Sequence, residues 1–236
     1  MLPVYILAGG RSSRFGSDKA RATVNNIPLV VRLHKIISAQ VSSQVFVVAN
    51  AVDAYSDLGL TTLGDAIPEL GPVSGIATAL EHAHKLITLA SDQNASETKP
   101  QSSQVVVPSQ WSLIVSCDLL EWHDAWLLRL AEELAKEKPI SSSPHAKAVC
   151  FYADAETSKK LPSFRWNPFP GLYHAAALPV ARMICNSSRA SMQSFLSDSA
   201  MNTIPASSID LQTIHSANTK DELVVWQETH SKEESD

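Results

Sequence analysis

Two patterns of apolar positions recur along this chain. Val4, Tyr5, Ile6 and Leu7 form a short unbroken apolar run ending near two glycines, which predicts a strand buried on both faces that feeds a tight loop. Leu29, Val30, Leu33, Ile36 and Ile37 repeat at helical spacing behind Pro28, a residue suited to a first helical turn. Val45 to Val48 predict a second buried strand and Thr61 to Leu63 a shorter third. Val73, Ile76, Ala77, Leu80 and Ile87 line one face of the next helix. Trp111 to Val115 make another strand, ending at Ser116-Cys117-Asp118, and Trp126, Leu127, Leu130 and Leu134 mark the helix after it. Ala146 to Tyr152 predict a strand, while Ala175 to Ile184, Ser191 to Leu196 and Asp221 to Gln227 predict helices. Such alternation favours an α/β fold, a three-layer α/β/α sandwich on a Rossmann-like, mainly parallel sheet.

Residues 91–109 break the alternation with Ser, Gln, Asn, Thr, Lys and Pro, and read as a solvated, flexible insertion. Composition shows no other break across the 236 residues, so a single domain over 1–228 is expected, with a charged tail at 229–236. The net charge of −5, with scattered basic residues, offers no cationic face for a nucleic-acid backbone. Cys117, Cys150 and Cys185 are odd in number and lack a C-x-x-C pair, so neither a disulfide framework nor a zinc site is expected among them. The apolar run from Leu2 to Ala8 is too short for a signal sequence and nothing later reaches membrane-spanning length; the expectation is a cytoplasmic protein without membrane association.

The first loop carries the densest chemistry. Open parallel sheets bind ligands beyond the carboxyl ends of their strands. There, Gly9, Gly10 and Gly16 alternate with Arg11, Ser12, Ser13 and Arg14, and Asp18-Lys19 closes the segment. Glycines let backbone amides approach a phosphate chain, and basic side chains neutralise it, so a nucleoside triphosphate is the expected guest. The dinucleotide fingerprint fails on glycine spacing, and the P-loop pattern fails because Ser17 comes directly after Gly16.

The segment resembles the signature L-A-G-G-x-S-x-R-x-G-x-D-K of molybdenum cofactor guanylyltransferases, MobA-like nucleotidyltransferases that join GMP to molybdopterin. Leu7, Ala8, Gly9, Gly10, Ser12, Arg14, Gly16, Asp18 and Lys19 all match. The resemblance implies the nucleotide-diphospho-sugar transferase type of fold, GTP and molybdopterin as substrates, Mg²⁺ as cofactor, and contact with molybdoenzyme-maturation proteins. Related cytidylyltransferases tend to carry L-A-A-G and an Asn-Lys pair, so Gly9 and Asp18 lean toward guanine. Asp65, ahead of Gly71-Pro72-Val73-Ser74-Gly75, resembles the family's Asp and G-P-x-x-G, where the aspartate helps bind nucleotide. Cys117-Asp118 resembles the start of C-D-x-P, although Leu119-Leu120 replaces the polar and proline residues of that motif. Asp118, at a strand's carboxyl end, is the expected Mg²⁺ ligand.

Other matches are looser. Asn50 ends the second strand within reach of a base or ribose, whereas the family's asparagine falls at Val48. Asn218-Thr219-Lys220-Asp221-Glu222-Leu223 resembles N-x-N-T-P-E-E-L with Ser216 and Lys220 as departures; Asn218 either supports the metal or caps the last helix. Phe169-Pro170-Gly171-Leu172-Tyr173 resembles a proline-containing segment leading into a strand on the acceptor side. His82 and His84 do not share a helix face, and the remaining histidines read as isolated.

Each candidate residue then has an expected role. Arg14 and Lys19 hold phosphates, the Leu7-Ala8-Gly9-Gly10 backbone the nucleotide, Asp65 its base or ribose, and Asp118 the metal. Two alternatives stay open: a nucleotidyltransferase for CTP or sugar phosphates, and a GTP-binding regulator of the same fold without catalysis.

Overall fold

The computed structural model describes residues 2–9, 15–65, 70–93, 107–137, 146–152, 166–187, 190–206 and 214–230. In chain order the elements are β1 (Val4–Leu7), β2 (Thr23–Val24), β3 (Ile27–Pro28), α1 (Leu29–Gln40), β4 (Val45–Ala49), β5 (Thr62–Gly64), α2 (Pro72–Gln93) and β6 (Trp111–Ser116), then α3 (Asp124–Lys136), β7 (Ala148–Tyr152), β8 (Trp166–His174), α4 (Leu178–Cys185), α5 (Met192–Leu196), β9 (Ile204–Ala206) and α6 (Lys220–His230).

Seven strands form one sheet in the order β5-β4-β1-β6-β8-β7-β9. β8 runs antiparallel to β6 and β7, and the remaining pairings are parallel. Side chains alternate across a strand, so β1 feeds two cores. Val4 and Ile6 pack with Val30, Leu33 and Ile37 of α1 and with Trp126 and Leu130 of α3. Tyr5 and Leu7 pack on the other face with Ile76 and Leu80 of α2 and Val180 and Ile184 of α4. Each such aliphatic side chain contributes about 1.5–3 kcal/mol when fully buried, so the helices are held by their apolar stripes more than by propensity. The layers are helix, sheet, helix, as the alternation predicts. Among the described residues no helix is long and apolar enough to cross a membrane.

Departures from the sequence expectations have local causes. Pro28 belongs to β3 and precedes the first turn of α1 instead of opening it. β2 and β3 form a hairpin whose central residues, Asn25 and Asn26, have φ of 51° and 62°, as a tight two-residue turn with left-handed backbone requires. Residues 91–93 of the expected insertion continue α2, and 107–110 lead into β6; the rest of 91–109 lies outside the described residues. The last helix runs on to His230, so the expected tail begins inside it, and residues 231–236 lie outside the described residues.

β8 carries a device that periodicity hides. Cys150 of β7 pairs with Gly171, but the next residue, Phe151, pairs with Asn167. Pro168, Phe169 and Pro170 therefore have no counterpart on β7. Prolines lack the N–H that a ladder needs, so this excursion suits them. Gly171 makes it possible, because a Cβ there would lie 2.6 Å from the Pro168 carbonyl oxygen.

Candidate active site

β1, β4, β5 and β6 are parallel and end level with one another: Leu7 pairs with Val48 and with Ser116, and Ala49 pairs with Gly64. The segments leaving these four strands therefore meet along one edge of the sheet. Ala8 and Gly9 leave β1, Asn50 leaves β4, Asp65 leaves β5, and Cys117-Asp118 leave β6. Gly10 and Arg14 lie outside the described residues, so their expected roles remain expectations.

The loop re-enters at Phe15, buried with Val24, Leu29, Leu120, Ala217 and Leu223. Gly16 has φ of +73°, a left-handed conformation that L side chains rarely adopt. Asp18 then caps a 3-10 turn over Lys19–Arg21, its Oδ1 accepting from the Ala20 N–H at 3.0 Å. The Tyr55 hydroxyl lies 3.1 Å from Asp18 Oδ2 and 3.2 Å from the Ala8 carbonyl, sharing its proton between them. Burial, reinforced by the Asp18 charge, pushes the Tyr55 phenol far above its ordinary value, so it stays a donor. Tyr55 thus ties both ends of the loop together. Arg21 reaches out to Asp57 with two 2.8 Å bonds.

This anchoring turns Lys19 inward. Its Nζ donates to Asp118 Oδ2 at 2.7 Å and to Asn218 Oδ1 at 3.3 Å. The Lys19 and Asp118 side chains are only 13% and 18% exposed, so the pair is largely screened from water. Three segments distant in sequence meet at one ammonium group.

Leu119 and Leu120 explain how the third segment arrives. Leu119 bridges to Ser216 in antiparallel fashion, the Leu120 N–H donates to the His215 carbonyl at 2.9 Å, and the Ala217 N–H donates to the Asp118 carbonyl at 3.1 Å. Both leucine side chains are buried. Asn218 is not the helix cap: Thr219 Oγ1 accepts from the Glu222 N–H at 3.2 Å, and Glu222 in turn accepts from the Asn218 N–H at 2.6 Å. The Asn218 side chain is left facing Lys19.

Asp65 Oδ1 accepts from Ser74 Oγ and, at 3.2 Å, from Thr78 Oγ1, which fixes the carboxylate against the first turns of α2. Gly75 lets that helix lie close on β1, since a Cβ there would come within 3.3 Å of Leu7 Cδ2. Asn50 Oδ1 lies 3.1 Å from where a Cβ on residue 9 would stand, so Gly9 leaves the Asn50 amide its room. Val48 is buried in the sheet.

Beside Asp118 a cavity of about 170 Å³ is lined by Ser116, Asp118, Leu119, Asn167, Phe169, Ile214 and Ser216. Phe169 reaches it from the excursion in β8, and Asn167 from the paired position just before that excursion. Burial, then the Asp118 charge, pushes the Cys117 thiol up to about 12, so it stays protonated and is no nucleophile.

Residues 4–202 match the family model of the MobA-like NTP transferase domain. The chain belongs to the MobA-like NTP transferase family. A probable molybdenum cofactor guanylyltransferase from a Nostoc species is 26% identical over 234 residues, 96% of this chain and 90% of that protein. A counterpart from Thermococcus sibiricus is 29% identical over 90 residues, 37% of this chain, and this match spans under half, 46%, of that protein. In fold, the chain is similar to the crystal structure of molybdopterin-guanine dinucleotide biosynthesis protein A from Archaeoglobus fulgidus, with a TM-score of 0.68, 16% identity, and 98% and 100% of the two chains covered. The nucleotide-diphospho-sugar transferase type of fold expected from the resemblance is the one observed.

For a MobA-like NTP transferase the edge offers matched chemistry: glycine backbone and an ammonium for phosphates, and hard oxygens on Asp118 and Asn218 that suit a divalent cation. Tyr55 was invisible to motif reading, because it reaches the loop only through the fold. One expectation is corrected. The histidines beyond the His82/His84 pair are not all isolated: His215 and His230 converge on Glu121.

Proposed function

We propose that the chain transfers GMP from GTP to molybdopterin with release of pyrophosphate, in a Mg²⁺-dependent reaction carried by one domain over residues 1–228. The observation that carries this reading is the 2.7 Å Lys19–Asp118 pair, set between the nucleotide loop and the cavity beside β8. Lys19 would leave Asp118 for the triphosphate, and Asp118 with Asn218 would hold the cation. Bound there, Mg²⁺ would supply positive charge to neutralise the leaving pyrophosphate.

A phosphate oxygen of molybdopterin attacks the α-phosphorus of GTP as the bond to the pyrophosphate oxygen breaks in line. The nucleophile is already anionic, so no side chain has to take a proton. Alignment and neutralisation are what catalysis needs, from Lys19, from Arg14 and from the Leu7-Ala8-Gly9-Gly10 backbone. Asp65 and Asn50 serve the base or ribose, and the lean toward guanine rests on Gly9 and Asp18 of the loop signature. The cavity bounded by Asn167 and Phe169 receives the acceptor. Burial of Leu119 and Leu120 favours an active enzyme over a regulator, because their departure from the motif serves packing and docks Asn218. Three buried free thiols fit a reducing cytoplasm, and molybdoenzyme-maturation proteins are the partners implied.

Pyrophosphate release measured with GTP or CTP, with Mg²⁺, and with molybdopterin or a sugar phosphate tests the proposal. Turnover with GTP and molybdopterin is expected. Turnover with CTP or with a sugar phosphate instead would reassign the substrates, and GTP binding without pyrophosphate from any acceptor would leave the regulator reading standing.

A further inference from the structure

Away from the Lys19–Asp118 pair, three groups from three parts of the chain converge. His230 Nε2 lies 3.0 Å and His215 Nδ1 3.3 Å from Glu121 Oε1, and one ligand atom from each residue lies within 4.8 Å of the others. We propose that Glu121, His215 and His230 bind a divalent transition-metal ion of the Zn²⁺ class, which clamps α6 to the loop that carries Asp118.

The spacing fits an ion. Tetrahedral zinc with nitrogen and oxygen ligands at about 2.0–2.2 Å sets neighbouring ligand atoms roughly 3.4 Å apart, so small shifts suffice. The orientation fits as well. His230 Nδ1 lies 2.9 Å from the Trp226 carbonyl, which can only accept, so that nitrogen carries the proton. Nε2 then faces the carboxylate oxygen either as an N–H donor in an ion pair or, in the neutral ring, as a lone pair that a metal ion between the two atoms would take up. Holding a histidine by a backbone carbonyl on its far nitrogen is how metal-binding imidazoles are oriented. The Trp226 N–H donates to Glu121 Oε1 at 3.0 Å, and its ring stacks on His230 with centroids 4.4 Å apart. Arg32 donates to the Leu120 carbonyl and lies 5.1 Å from the Trp226 ring centre, bracing the same corner.

The two histidine side chains are 44% and 34% exposed, which leaves an entry path and a fourth position for water. His123 Nε2 lies 3.3 Å from Glu121 Oε2, the other oxygen of the same carboxylate. Imidazole pairs suit Zn²⁺, Ni²⁺ or Cu²⁺ and not Mg²⁺, so this site and the Asp118 site select different ions. Glu121 lies three positions after Asp118 and His215 three before Asn218, so an ion here would fix the backbone that presents both.

Chelator-treated full-length protein titrated with ZnCl₂ in a calorimeter, with thermal denaturation in parallel, tests the site without reference to guanylyl transfer. One saturable equivalent and a rise in Tm are expected with Zn²⁺, and neither with MgCl₂ at this site. His215→Gln and His230→Gln should each abolish the tight equivalent, while Asp118→Asn should retain it. Trp226→Phe, which keeps the ring and loses the N–H, should weaken it by roughly tenfold. His215 is exposed, so His215→Gln decides the matter even if the His230 variant folds poorly. No saturable Zn²⁺ equivalent, or one unchanged in His215→Gln, would overturn the proposal.

Discussion

Replacing Lys19 with methionine keeps most of the apolar stem but removes the ammonium that three segments share. Asp118 is then left with a carboxylate 18% exposed and without the donor that stood 2.7 Å away. Breaking a fully buried pair costs about 3–5 kcal/mol, whereas an exposed pair is worth about 0–1 kcal/mol. Side chains as screened as these fall between, at about 2 kcal/mol, which lowers Tm by roughly 4–8 °C in a chain of this size. The double variant Lys19→Met with Asp118→Asn strands no charge and should regain much of that loss, a coupling of about 1–2 kcal/mol. Activity should not track stability: both variants should lose about a hundredfold or more in kcat, because a charge contact to the phosphates is worth about 3 kcal/mol. Differential scanning fluorimetry without nucleotide and a pyrophosphate-release assay read the two quantities separately. A single variant within about 1 °C of the parent would show that water already screens the pair. A rate within about threefold would remove Lys19 from the reaction.

Acid should destabilise the protein well before its carboxylates titrate. Burial lowers His34, His82 and His174 below their ordinary 6.5, so the native state holds them neutral while the unfolded chain takes up protons. That stability is complete above about pH 6.5 and is lost as pH falls toward the folded values, so Tm should drop between about pH 7.5 and 5.5; a rise over this window would contradict the assignment. The Ser112 hydroxyl is buried with no hydrogen-bond partner among the described residues, and Ser112→Ala should stabilise by about 1 kcal/mol in urea titration. Gly171→Ala should cost about 3 kcal/mol by the same measurement, since its Cβ would meet the Pro168 oxygen at 2.6 Å and Tyr173 Cε2 at 2.9 Å. An unchanged midpoint would mean that the excursion in β8 yields easily.

The parallel half of the sheet was readable because strands buried on both faces are apolar at every position, as β1, β4 and β6 nearly are. β8 was not, because Pro168 and Pro170 interrupt its pattern and the register jump hides its pairing partner. β2 and β3 are two residues each, too short to show alternation. At the site, Lys19 was legible from the loop signature and Asp118 from its place at a strand end, and Asn218 was legible as a candidate though not in its role. Thr219, one position on, is an equally good cap by residue type, and only the fold decides between them. Tyr55 and the Glu121 cluster left no local signal, since their partners are distant in sequence and no spacing rule joins them.

The stitching of residues 215–217 onto Leu119-Leu120 joins parts of the chain far apart in sequence. Contacts that close so long a stretch must overcome its closure entropy before they return any stability, so they form late relative to the local helices and the β2–β3 hairpin. The meeting of Lys19, Asp118 and Asn218 therefore belongs to the last long-range assembly of the fold, and a chain with its secondary structure already in place would still lack it.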